Sequence, residues 1–139
     1  MDREELMKIL PHREPMLLLD TAIQRGDLAV GWYFVRGPEF FLQGHFPGNP
    51  IVPGVILCEI LAQTACVLVK DAAGKGKVPL YTGMDRVRFR SPVYPGDTVR
   101  AVCQIVRTKV PFYFARGTIN VGEKVCVSAE FSFAIREEA

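Results

Sequence analysis

A chain of 139 residues is the size of a single domain and leaves little room for a second. Apolar residues make up 49% and charged residues 23%, a balance that suits a compact soluble protein with apolar surface to spare for an oligomer interface. The net charge of +2, from 17 basic against 15 acidic residues, provides no global attraction for nucleic acid, so any basic partner site has to be local.

Residues 2–9 read as one short helix ended by Pro11, and Met16-Leu17-Leu18-Leu19 as a short buried segment closed by Asp20. Leu28 to Val35 is rich in strand formers. A loop dense in glycine and proline follows, from Gly44 to Gly54, in which Pro47, Pro50 and Pro53 exclude regular structure and stiffen the backbone. From Val55 to about Ala73 the chain reads as a helix ended by Gly74, apolar almost all round and so buried on most sides. The period then changes from helical to alternating. Leu80 to Arg90, Thr98 to Val106, Phe112 to Val121 and Lys124 to Arg136 read as antiparallel strands, with Val125, Val127, Ala129, Phe131, Phe133 and Ile135 predicted to share one face. With one or two strands before the long helix, the economical packing is an α+β arrangement, a curved sheet wrapped around that helix.

Cys58, Cys66, Cys103 and Cys126 lack the CxxC spacing of a zinc or redox site and lie in apolar runs, as small hydrophobes do. The opening MDREELMKIL mixes charges with apolar residues and lacks the core of a signal peptide; reduced thiols without an export signal point to the cytoplasm. The longest apolar stretch, Gly54 to Val69, carries a glutamate and is too short for a membrane span.

That glutamate, Glu59, is the sharpest anomaly, because a carboxylate in an apolar interior has to be paired, hydrated or neutral. Gln63 stands at i+4, where its amide can hold the carboxylate. The plainer alternative is a helix edge that reaches solvent. His45 sits in the stiff loop ahead of the helix, either as a structural histidine or as a positioned titratable group of the kind acid–base chemistry requires. Gly54 begins the helix, where an unpaired N–H points outward and a substrate carbonyl can approach closely; a simple turn into the helix is the other reading. Arg86, Arg88 and Arg90 recur at period two and are predicted to project from one strand face, as a solvated surface or as a docking patch for an acidic partner or a phosphate.

GHFPGNPIVPGVILCEILAQ (44–63) resembles the active-site signature of the FabZ-type (3R)-hydroxyacyl-[acyl-carrier-protein] dehydratases. LPHREPMLLLD (10–20), PEFFLQGHFPG and FRSPVYPGD (89–97) resemble further blocks of that family, in order and over most of the chain. The resemblance implies one hot-dog domain over 1–139, a sheet wrapped around a central helix. It implies dehydration of a 3-hydroxyacyl thioester on acyl carrier protein to the trans-2-enoyl thioester in type II fatty-acid synthesis. His45 and Glu59 would be catalytic, facing each other across a homodimer with shared active sites, three such dimers forming a hexamer in some members. Gly54 and Gln63 would bind substrate, and Arg86, Arg88 and Arg90 the carrier protein. The substrate rides on the carrier's phosphopantetheine arm and the reaction is redox-neutral, so no cofactor and no metal is expected.

The chain departs from the family at Glu14, where an aromatic is usual, and at Cys58 and Ile60 beside the carboxylate, where a differently shaped acyl tunnel is the expectation. Tyr81 neighbours a tunnel-gating aromatic of some members without matching it. The competing readings are a hot-dog acyl thioesterase, disfavoured by the histidine-bearing loop, a relative that also isomerises its product but carries aspartate for Glu59, and a non-catalytic carrier-binding relative, disfavoured by the intact pair.

Overall fold

The structure is a computed structural model that describes residues 1–138. Helix α1 (Arg3–Ile9) is started by Asp2, whose side chain accepts from the Glu5 N–H while Glu5 reaches back to the Asp2 backbone, a reciprocal cap that satisfies two first-turn donors. Strands β1 (Thr21–Arg25) and β2 (Leu28–Phe34) form a hairpin. After the glycine/proline loop comes helix α2 (Gly54–Ala65), then β3 (Lys77–Phe89), β4 (Thr98–Lys109), β5 (Phe112–Val121) and β6 (Lys124–Glu137). The six strands make one antiparallel sheet in the order β1-β2-β4-β5-β6-β3, which curls around α2 so that the helix packs on β2, β4, β5 and β6.

The core lies between helix and sheet, where Leu57, Ile60 and Leu61 of α2 meet Val99, Ala101 and Cys103 of β4 and Phe131 and Phe133 of β6. Close contact depends on Gly117 of β5. A Cβ there would come within 2.8 Å of the Val102 carbonyl and 2.9 Å of Leu61 Cδ2, so any side chain would push the helix off the sheet.

The length of the long helix and the facing of the last strand differ from the sequence expectations. The predicted helix to Ala73 stops at Ala65 and tightens into a 3-10 turn over Cys66–Val69, which keeps Cys66 and Val67 in the core. In β6 the buried face does not run through Val125. Ile119 pairs with Val127 and Asn120 with Val125, so Cys126 is an extra residue in the ladder; Cys126 and Val127 are both buried while Val125 is exposed. Alternation predicted the rest of that strand correctly, from Ala129 to Ile135.

Candidate active site

The loop from Gly44 to Pro53 is held by its own backbone. The Phe46 and Asn49 peptides bond each other reciprocally at 3.0 and 2.9 Å, the Ile51 N–H donates to the His45 carbonyl at 2.8 Å, and Val52 donates to Val93 at 2.9 Å. The His45 ring stacks on Phe46, with centroids 4.3 Å apart, and its Nδ1 lies 2.9 Å from the Ile51 carbonyl oxygen. A carbonyl oxygen can only accept, so Nδ1 carries a hydrogen, and in the neutral ring Nε2 keeps the lone pair. The ring lines a cleft of about 470 Å³ together with Ile51, Val52, Gly54, Phe89 and Arg90.

Gly54 opens α2 behind the Pro53 cap, so its N–H belongs to the first turn and has no acceptor inside the helix. The need for glycine is steric: a Cβ at Gly54 would stand 2.5 Å from Cε1 of Phe89. Phe89 was not singled out in the sequence. It is one of the exposed apolar residues of β3, at 58% exposure, and its ring lies over the start of α2.

Glu59 is not on the wall of this cleft. Its Oε2 lies 3.1 Å from His12 Nε2 and accepts from Gln63 Nε2 at 2.9 Å. Within one chain, therefore, the structure does not bring His45 and Glu59 together; the histidine beside the carboxylate is His12, which sequence reasoning passed over. The available signal was that the chain has only two histidines, one of them in the LPHREP block. Gln63 behaves as the i+4 spacing predicted toward Glu59 but not as a substrate ligand. It is 1% exposed, its Nε2 also donates to the Met16 carbonyl at 2.8 Å, and its Oε1 accepts from the Leu18 N–H at 2.9 Å. Both of its donor hydrogens are committed inside the protein.

The arginine stripe is also broken. Asp85 pairs with Glu130 and Arg88 with Ser128, so Arg86 and Val87 together face a single residue of β6, and Arg86 takes φ 51. That bulge destroys period two. Arg86 Nη1 turns to Glu130 Oε2 at 3.4 Å, whereas Arg90, beyond the end of β3, lines the His45 cleft. Tyr81 is no loose gate either: its hydroxyl donates to the Cys58 carbonyl, its ring meets Phe131 edge-on, and burial raises its pKa above the ordinary phenol range. Among the described residues no three His, Cys, Asp or Glu side chains stand together as a metal site, and no helix is long and apolar enough to cross a membrane.

A six-stranded sheet wrapped around one helix is the hot-dog fold, shared with a chain of the dehydratase heterocomplex ApeI:P from Xenorhabdus doucetiae (TM-score 0.83, 19% identity, 96% of this chain and 91% of that one). A mutant of the fluoroacetyl-CoA-specific thioesterase FlK has it too (TM-score 0.67, 14% identity, covering 85% and 91%), so the fold alone does not separate dehydratase from thioesterase. The family model of the FabA-like domain matches residues 10–130, and the chain belongs to the FabZ-type 3-hydroxyacyl-[acyl-carrier-protein] dehydratases within that family. It is 42% identical to the FabZ dehydratase of Macrococcus caseolyticus over 138 residues, covering 97% of this chain and 95% of that one. To the FabZ dehydratase of Thermoanaerobacter pseudethanolicus it is 43% identical over 141 residues, covering 99% of each.

Proposed function

We infer that this chain is a hydro-lyase that converts (3R)-3-hydroxyacyl-[acyl-carrier-protein] to the trans-2-enoyl thioester, with 1–139 acting as one domain. The observation that carries the assignment of roles is the Ile51 carbonyl on His45 Nδ1, which leaves Nε2 as the basic nitrogen of a ring that lines a cleft. The α-proton of a thioester is weakly acidic and hydroxide leaves poorly, so both ends of the reaction need help. His45 Nε2 takes the α-proton, and the Gly54 N–H at the positive end of α2 bonds the thioester oxygen as enolate charge develops. Glu59 donates a proton to the β-hydroxyl, which leaves as water while the electron pair of the broken C–H bond becomes the new double bond. The reaction is redox-neutral, and in this chemistry neither metal nor organic cofactor has a step to perform.

Because one chain keeps Glu59 off the His45 cleft, the complete site is assigned to a homodimer in which His45 of one protomer meets Glu59 of the other. Strand β3 supports this. It is an edge of the sheet, and Leu80, Met84 and Phe89 on it are large, apolar and exposed. Acyl carrier protein is the partner that delivers the substrate, Arg88 and Arg90 are the cations placed to receive it, and cytoplasmic fatty-acid synthesis is the setting; three dimers in a hexamer is the larger assembly.

The test is to supply 3-hydroxybutyryl and crotonyl thioesters and follow the enoyl absorbance, alongside H45A and E59Q. Loss of about two orders of magnitude or more in each variant is expected. Enoyl formation surviving in both variants overturns these residue roles, and free thiol released in place of enoyl product overturns the reading and favours the thioesterase.

A further inference from the structure

His12 and Gln63 converge on the same oxygen of Glu59: Oε2 lies 3.1 Å from His12 Nε2 and 2.9 Å from Gln63 Nε2, and Oε1 has no partner among the described residues. An amide nitrogen can only donate, so Oε2 is already an acceptor toward Gln63. His12 supplies the second constraint. Its Nδ1 is buried with no hydrogen-bond partner among the described residues, and a buried N–H left without an acceptor is rarer than a buried lone pair left without a donor. Nδ1 therefore carries no hydrogen, and the ring's one hydrogen sits on Nε2, pointing at Oε2.

From this geometry we propose that His12 is a positioning residue for the dehydration, a neutral Nε2–H imidazole that with Gln63 holds Glu59 Oε2 as an acceptor and so confines the transferable proton of Glu59 to Oε1. The proposal rests on the reading of Glu59 as the acid. With two donors on Oε2, a proton placed there would displace one of them; placed on Oε1 it disturbs neither. A carboxyl group has two oxygens and two faces on which to carry a proton, and this arrangement selects one and fixes its direction.

The chain is built to hold His12 in that place. Arg13, its neighbour, donates to the carbonyls of Leu10 at 2.9 Å, His12 at 2.7 Å and Met7 at 3.1 Å, clamping the backbone just before and at the histidine. Gln63 pins the other side of the segment through Met16 and Leu18. Leu10, Leu17, Leu18 and Leu19 are all buried against the core. The segment from Leu10 to Asp20 thus acts as a strap over α2 that presents one imidazole to one carboxylate.

The experiment compares wild type, H12A, H12Q and E59Q as the assembled enzyme on a short 3-hydroxyacyl thioester, with thermal unfolding of each. H12A is expected to lose about ten- to a hundredfold in kcat with KM little changed, as for removal of one hydrogen bond to the carboxylate charge that develops when Glu59 gives up its proton. H12Q, whose amide can place an N–H near the position of Nε2, restores a substantial part of it. An unchanged kcat in a folded H12A, or a loss carried wholly by KM, overturns the proposal while the inactivity of E59Q leaves the role of Glu59 standing; an active E59Q sinks that role itself. Nitrogen NMR of the wild-type imidazoles is the second arm and depends on no variant folding. The Nε2–H form at His12 is expected, and an Nδ1–H or doubly protonated ring at neutral pH refutes it.

Discussion

Replacing Gln63 by leucine tests how the strap is held. Leucine has nearly the same volume and no polar atoms, so the core stays filled while three hydrogen bonds disappear. The Leu18 N–H, buried beside α2, keeps its desolvation and loses its acceptor, and the Met16 carbonyl loses a donor in a half-buried position. Leaving a buried donor unpaired costs about 1–3 kcal/mol, and the half-buried carbonyl adds about 1, giving roughly 3 kcal/mol in all. A chain of 139 residues has an unfolding entropy of about 0.3 kcal/mol/K, so the melting temperature should fall by roughly 10 °C. The assay is thermal unfolding at one fixed protein concentration, since association contributes to stability in any oligomer. A shift of under about 2 °C would show that the strap does not depend on this side chain and would refute the reasoning.

Two other expectations concern ionisation and docking. Burial raises the thiols of all four cysteines, that of Cys66 to about 12, and Cys103 lies deeper still in its effect. The folded state thus keeps protons that the unfolded state sheds above about pH 8.5, and stability should fall as pH rises beyond that point, by about 1.4 kcal/mol per pH unit for each fully buried thiol; urea titrations between pH 7 and 10 measure this, and a flat profile contradicts it. Reversing Arg88 to glutamate should raise KM for carrier-bound substrate several-fold and spare a short pantetheine thioester, whereas R86E should do much less because Arg86 already faces Glu130, and R90E should affect both substrates because Arg90 lines the His45 cleft. Equal damage to both substrates by R88E would remove docking from Arg88.

Much of this molecule is written in local pattern. Alternation in β4 marks Val99, Ala101 and Cys103 as inward, because side chains of a strand must point to opposite faces. The stiff loop bearing His45, the carboxylate on an apolar helix and the i+4 amide of Gln63 are likewise local facts, and each was legible before any fold was known. What local pattern cannot carry is register. The extra residue at Cys126 and the bulge at Arg86 are properties of a ladder between two strands, and each reverses the facing of residues that a single strand's period would assign.

The site divides along the same line. Which residue types could do acid–base chemistry was readable along the chain, and its blocks resemble those of the family. Tertiary structure decided their company: the histidine beside Glu59 is His12, delivered by a strap distant in sequence, while His45 lines a separate cleft. The physical reason is that hydrogen bonds between side chains are set by where buried segments pack, and packing is a property of the whole core rather than of spacing along the chain.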